Sequence, residues 1–377
     1  MRNRSASMSN TSRVLRTIWL NDGISRIEIA EKLMLDKSTI TNITASLQEK
    51  NIVTETETGE AGPHGGRKPI KLKILENYSA VMGIEVQPEC CNVVCVNLAG
   101  EILLSKQFHA DITAYSFPDV FSEILSDMES QLSILNIPLA GIGLGMSGII
   151  NPDKGIIYKS IPLGVTEEYA VLDDLEKRTN IPIFIDNDGN CCCWGEILFN
   201  KSQDLRDFLF TMVEFREHNS AKAAYGGLAV GMGIVIDGKV HHGKTFTAGE
   251  FRSVFAGVES CGQFSFGKEN EFRVKKDPEL FNRFSIELSR NIALIANTFA
   301  LSECFLGGDL HGYEDVFTEV LKTELDKNWA YPGDSVCEIR FSSLEEKAVA
   351  YGAASMIIDR LFKVPGPEVK DPELSII

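Results

Sequence analysis

Two groups of residues have the types and spacing to do chemistry or recognition. The first is Ile185-Asp186-Asn187-Asp188-Gly189-Asn190, where a hydrophobic run ends in carboxylates and amides. If that run is a strand of an α/β sheet, the cluster lies at its carboxyl end, where ligands bind in such folds. Asp188 could accept a hydroxyl proton and Asn187 could hold a neighbouring hydroxyl, since every sugar hydroxyl both donates and accepts. The same residues would serve equally as a helix cap, satisfying the first amides of the next helix. Gly231-Met232-Gly233 reads as a glycine turn between strands, where backbone could approach a ligand. Glu250, in TFTAGEFRS, could supply a further carboxylate.

The second group lies in SRIEIAEKLMLDKSTITNITASLQ, residues 25–48. Ala30 and Leu33, then Ile40, Ile43 and Leu47, give two apolar stripes at helical spacing. Between them Leu35, Asp36 and Lys37 make a short turn, with Asp36 or Ser38 available as a cap. Two short helices about a tight turn form a helix-turn-helix, whose second helix enters the DNA major groove. Its outward face would carry Lys37, Ser38, Thr39, Thr41, Asn42 and Thr44. These are short donors and acceptors that can approach base edges, and Asn suits adenine. A small helical bundle with a Ser/Thr-rich surface is the competing reading, and Met34 stands where such turns often have Gly. DNA binding is the stronger of the two.

Other segments must position these groups. Val14, Leu15, Ile18 and Trp19 place a first helix over 10–20, with 1–9 polar and frayed. Two β-rich runs, 52–58 and 70–75, flank a Gly/Pro/His loop and make a wing. Arg67 and Lys68 follow Gly65-Gly66 and could enter a narrow minor groove, or belong to a solvated basic linker. From residue 80 the pattern becomes α/β. Strand-like runs include VMGIEV, CNVVCVNL, EILLSKQF, AGIGLGMSGII and FLFTMVEF. Helices are expected near 117–135, through 191–198, over 278–299 and over 344–361. In the last of these, alanines imply close backbone packing.

Charge divides the chain in the same way. Residues 1–75 hold 12 Lys+Arg and 8 Asp+Glu, against 25 and 45 in the remainder. A basic head on an acidic body suits a DNA reader whose body is repelled by phosphate. No apolar run approaches the roughly 18 residues of a membrane span, and no signal peptide is expected. Nine cysteines, with runs at Cys90-Cys91 and Cys191-Cys192-Cys193, point to a reduced cytoplasm rather than a disulfide framework.

Taken together, the winged head with GGRKP, GIGLGMSGIINPDKG, FIDNDGN with a following Gly195-Glu196, VGMGIVIDGKVHHGKTFTAGE, CFLGGDL and AVAYGAA resemble the ROK family of repressors and kinases. The resemblance implies an N-terminal winged helix-turn-helix domain followed by a two-lobed actin/hexokinase-like body. The head would span 1–76 and the body 77–377. Lobe one would cover about 77–189 plus the last helix, 344–362, and lobe two about 190–343. The resemblance also places Asn187, Asp188 and Glu250 on sugar-binding positions, Asp188 being the base in kinase members.

Two departures bear on activity. Kinase members carry a D-x-G-x-T-type phosphate loop where this chain reads Glu85-Val86-Gln87-Pro88-Glu89. That segment has no glycine and no threonine hydroxyl, and its carboxylates would repel a γ-phosphate. Family members also typically hold a zinc through a His after the Gly-Glu and three cysteines. Here Phe251-Arg252-Ser253 follows Glu250 and only Cys261 remains, too few ligands for a structural site. His241 and His242 lack supporting spacing. Arg252 would bring positive charge to the pocket for a modified or acidic sugar, or would pair with Glu250 or another carboxylate.

The expectation is therefore a cytoplasmic DNA-binding regulator of carbohydrate genes, most simply a repressor. It would bind operator DNA and a small carbohydrate effector, act as a homodimer or higher homo-oligomer, and use no catalytic residue, cofactor or metal. The rivals are a sugar kinase with an accessory head, and a regulator that has lost its sugar and answers to a protein partner.

Overall fold

The computed structural model describes residues 2–58, 70–201, 203, 205–217, 226–258 and 262–363, with side chains 2–9 and 57–58 left aside. The head is built from α1 (Arg2–Leu20), β1 (Ile24–Ser25), α2 (Arg26–Leu33), α3 (Lys37–Glu49), β2 (Val53–Thr58) and β3 (Ile70–Ile74). Helix α1 starts at Arg2, eight residues before the expected position, because nothing in the polar segment 2–9 breaks a helix. Helix α2 opens with a reciprocal capping box: the Glu28 amide donates to Ser25 Oγ (3.3 Å) and the Ser25 amide donates to Glu28 Oε2 (2.8 Å). Those hydrogen bonds hold the Glu28 carboxyl below its ordinary ionisation. Strands β2 and β3 pair antiparallel, and β1 adds to β3, giving the wing's sheet.

Lobe one comprises β4 (Ala80–Val86), β5 (Cys90–Asn97), β6 (Ile102–His109), α4 (Phe117–Ile134), β7 (Leu139–Met146), β8 (Ile149–Asn151), β9 (Ile156–Lys159), α5 (Val171–Leu175) and β10 (Ile183–Asn187). The run AGIGLGMSGII is not one strand. Gly148, at φ +116°, turns β7 into β8. After α6 (Asp188–Phe199), lobe two holds β11 (Phe208–Phe215), β12 (Leu228–Ile236), β13 (Lys239–Val240), α7 (Pro278–Phe299), β14 (Glu303–Gly308), α8 (Glu314–Asn328) and β15 (Glu338–Phe341). Helix α9 (Ala348–Leu361) closes the described chain, beginning four residues later than the alanine pattern suggested.

The two sheets share one topology. In lobe one the order is β10-β7-β4-β5-β6 and in lobe two β13-β12-β11-β14-β15. Each is an antiparallel three-strand meander whose first strand, β4 or β11, also pairs with a parallel strand that pairs in turn with the last. Between the sheets, α6 and α9 cross backbone to backbone. A Cβ on Gly352 would lie 1.7 Å from the Cys191 carbonyl oxygen, on Gly83 1.9 Å from that of Ala350, and on Gly143 2.0 Å from that of Ala353. Gly231-Met232-Gly233 is not a turn but the middle of β12. Gly233 is small because a Cβ there would meet the Gly189 oxygen at 2.4 Å.

Head and body share one continuous core, in which Val14, Leu15, Ile18 and Trp19 join Leu98, the α6–α9 seam and Phe362. Trp19 stacks on Phe362, with ring centroids 4.7 Å apart, and donates its indole N–H to the Leu98 carbonyl at 3.0 Å. Arg16 pairs with Asp359 at 3.2 Å. No helix among the described residues is long and apolar enough to cross a membrane.

Candidate DNA-reading face and ligand cleft

The turn before α3 works because Met34 adopts the left-handed conformation (φ +53°, ψ +45°) that glycine more often supplies. Its amide closes the end of α2 on the Ala30 and Glu31 carbonyls. Asp36 stands at the cap position of α3 without a side-chain cap bond. On α3, Lys37, Ser38, Thr41 and Asn42 are exposed and Thr39 is half-buried. Thr44 does not belong to the outward face. That side chain is fully buried, accepts from Arg26 Nε (3.0 Å) and donates to the Ile40 carbonyl (2.9 Å). Arg26 also reaches Gln48 (2.9 Å) and Glu55 (2.8 Å), tying α2, α3 and the wing together. Ala45 and Ser46 take the vacated edge of the face. Helical spacing from Thr41 and Asn42 could have found both, Ala45 being able to touch a thymine methyl. Arg67 and Lys68 lie outside the described residues.

In the body, a cleft of about 970 Å³ opens between the lobes, lined among others by Glu85, Ser147, Asp188, Glu214, Arg216 and Asp309. Asp188 begins α6 and faces this space, taking the Gly189 amide at 2.8 Å. It is half-buried, with one side open to the cleft. Desolvation pushes its carboxyl up to about 7, despite the Gly189 amide, with the charges of Glu250, Glu85 and Glu214 adding to the rise. Glu250 is itself raised by desolvation. The structure thus brings Asp188 and Glu250 within electrostatic reach of each other.

Asn187 is the N-cap of α6. Its Oδ1 accepts from the Gly189 and Asn190 amides at 2.9 and 3.4 Å, and its Nδ2 donates to the Gly148 carbonyl at 2.9 Å. Both ends of the Asn187 amide are thus engaged within the protein, its oxygen as a helix cap and its nitrogen on the β7–β8 turn. Arg252 is exposed and donates to the Gly257 carbonyl at 2.7 Å.

Where a phosphate loop would stand, Glu85 is buried at 8 % exposure and fixed by amides. Asn92 Nδ2 donates to it at 2.7 Å, Gln87 Nε2 donates to its other oxygen, and Gln107 braces Asn92 at 2.9 Å. A carboxylate thus points where an anionic group would need donors. The zinc set does not fit either. The Phe251 ring packs on Phe264 at 5.5 Å, and among the described residues no three His, Cys, Asp or Glu side chains converge on a metal position. Cys261 lies outside the described residues.

The sequence reading missed the role of Asp186. Only 1 % exposed, it accepts from His242 Nε2 (2.9 Å), Trp194 Nε1 (3.1 Å), Asn190 Nδ2 (2.9 Å) and the Asn187 amide (2.8 Å). Burial works against the His242 charge, but the Asp186 hydrogen bond and charge outweigh it, so His242 is raised overall. The alternation of a strand places Asp186 opposite the cleft side of β10, a signal present in IDNDGN; its partner 56 residues on was not.

A model of the ROK family matches residues 81–264, and one of the MarR family matches residues 9–57. The xylose repressor of Caldicellulosiruptor bescii is 22 % identical over 401 residues, covering 93 % of this chain and 96 % of the repressor. Among solved structures, a ROK family transcriptional regulator described as a homologue of the E. coli MLC protein superposes with a TM-score of 0.75 at 18 % identity. That match covers 95 % of this chain and 97 % of the regulator. A ROK family glucokinase from Streptomyces griseus covers only 74 % of this chain, and 99 % of the kinase, with a TM-score of 0.57 at 17 % identity. The difference in coverage is what a kinase-like body without the head would give. The chain thus joins a winged helix-turn-helix head with a MarR-family match to a sugar-kinase-like body with a ROK-family match, and over nearly its whole length it is similar to ROK family transcriptional regulators.

Proposed function

We propose that this DNA-binding, carbohydrate-related repressor senses a small carbohydrate in the interlobe cleft without phosphorylating it. The observation that carries the reading is Glu85, held by Gln87 and Asn92 where a kinase would offer phosphate donors. Around it the cleft adds Asp188, Glu214, Asp309, Glu345 and Glu346 against Arg216 and Lys275. A nucleotide triphosphate would meet net negative charge there, whereas a neutral polyol would meet acceptors for its hydroxyls. Asn187, Asp188 and Glu250 contact the sugar, and Arg252 lies at its margin. On DNA, Lys37, Ser38, Thr39, Thr41 and Asn42 read the major groove, with Arg67 and Lys68 at the wing. Two heads in a homodimer read two half-sites, which multiplies affinity. The protein works in the cytoplasm, where the operator is. Lobe closure on the sugar shifts the head through α9 and so changes operator affinity.

The deciding experiment measures binding of the full chain to DNA from upstream of its own gene, at fixed salt, with and without a sugar panel. Xylose heads the panel because the similar repressors are named for it. Tight specific binding altered by one sugar supports the whole reading. A coupled assay showing sugar-dependent ATP turnover that disappears in Asp188→Asn would establish the kinase alternative instead. The engaged Asn187 amide favours one further reading, a regulator that answers to a protein partner. A flat thermal-shift response across the panel, with DNA binding intact, would select it.

A further inference from the structure

On the far side of β10 from the cleft lies a second cavity, of about 460 Å³. Its floor is the buried Asp186 and the Trp194 indole, and Phe246 and Met356 form apolar walls. Around them stand His241, His242, Lys244 and Arg360, with Asp153 the one other carboxylate on the lining among the described residues. The Asp186 oxygens are turned to four protein donors, His242 among them, so this carboxylate is committed within the wall of the cavity. The Arg360 guanidinium sits over the Phe184 ring, 4.2 Å from its centroid, so it is a positioned cation rather than a trailing one. The 25 basic residues beyond position 75 face 45 acidic ones, so this gathering of cations on one concave surface runs against the body's own charge.

We propose that this cavity is a second effector site, for a small dianion such as a phosphate monoester or a dicarboxylate, and that its occupant acts on the DNA-binding head. Arg360 and Lys244 bind the anion, His241 and His242 donate to it, and Trp194 and Phe246 cover its carbon skeleton. The volume lies at the lower end of the range for small-molecule sites. The route to the head is short. Met356 and Arg360 are on α9, and within the same helical turn Asp359 holds Arg16 while Phe362 stacks on Trp19 of α1. Asp186 also adjoins Asn187 and Asp188, so the two cavities meet at one strand end and their occupants should be coupled reciprocally.

The test titrates the full chain, near neutral pH and at low salt, with glycerol 3-phosphate, with succinate and with neutral glycerol. Wild type is compared with Lys244→Glu, Arg360→Gln and Asp188→Asn. At least one dianion should bind and glycerol should not; which dianion binds separates the two ligand sources. Affinity should fall at least about tenfold in Lys244→Glu and Arg360→Gln and stay within about twofold in Asp188→Asn. Lys244 is an exposed loop residue, so its variant keeps the test valid if Arg360→Gln folds poorly. Binding should change tryptophan emission in wild type but much less in Trp194→Phe. Failure of both dianions to bind, binding that survives both charge changes, or loss only in Asp188→Asn would overturn the site. These arms do not depend on the repressor reading. The coupling rests on it: bound dianion should shift the DNA dissociation constant at least about threefold, and binding without any shift would overturn the coupling.

Discussion

Two joints hold the molecule together, and they are made of different material. Between the lobes, α6 and α9 meet backbone against backbone at Gly352, and α9 is seated on β4 and β7 in the same way at Gly83 and Gly143, with no room for even a methyl group. Between head and body the joint is made of side chains. Trp19 lies on Phe362, Arg16 reaches Asp359, and Lys201 sits 5.6 Å over the Trp19 ring while donating to the Ala99 carbonyl at 3.2 Å. A backbone contact has one geometry; a side-chain contact has rotamers. The helix seam can therefore transmit a displacement without absorbing it, and the head is where that displacement can be expressed.

The comparison breaks most visibly at Gly352. Gly352→Val must displace the α6 backbone, and urea unfolding should show a loss above about 4 kcal/mol or no folded body at all. Trp19→Ala should instead cost about 3 kcal/mol of head docking. Amide exchange should accelerate in α1 with the body protected as before, and equal acceleration in both would refute the distinction. Asn42→Ala touches neither joint. It should weaken specific DNA binding by about 1–3 kcal/mol while non-specific binding holds, and a uniform loss on all sequences would remove Asn42 from base reading.

Asp188→Asn sharpens the picture inside the body. The Asp188 carboxyl is pushed up to about 7 by burial, against an ordinary 3.8 in the unfolded chain. Between these values the unfolded state releases its proton first, so stability falls as pH rises, and the full penalty is present above the higher value. The substitution removes that penalty. Its gain in unfolding free energy should be nil under acid conditions and reach about 1 kcal/mol above neutrality, because water in the cleft screens a half-buried group. A pH-independent gain would contradict it. The smallest effect is expected at Arg16→Ala, below about 1 kcal/mol, since this ion pair is partly solvated.

Local signals in the sequence carried a large part of this architecture. The apolar stripes of α2 and α3, the α7 boundaries at Pro278 and Phe299, and the strand-to-helix cluster around Asp188 all follow from spacing and caps. What spacing could not supply is long-range partnership. The Thr44 register lies near the outward face, but Arg26, 18 residues earlier, folds over it and buries it. Gly231-Met232-Gly233 looks like a turn because glycine serves two purposes, bending a chain and admitting a neighbour, and here α6 is the neighbour of Gly233. The Trp19 stripe points to a head core, yet its indole belongs to a surface contributed by residues 98 and 362.

The cysteine triplet has a practical consequence. Cys191, Cys192 and Cys193 expose no surface, and burial pushes each thiol well above its ordinary ionisation. A thiol reagent can alkylate them only when α6 lifts from α9, whereas the partly exposed Cys337 needs no such event. Cys91, Cys95 and Cys304 are buried as well, on β5 and β14, so it is the slow labelling located to the α6 peptide that serves as a clock for the opening of the seam. Any ligand that grips the lobes should lengthen its half-time, whatever that ligand turns out to be.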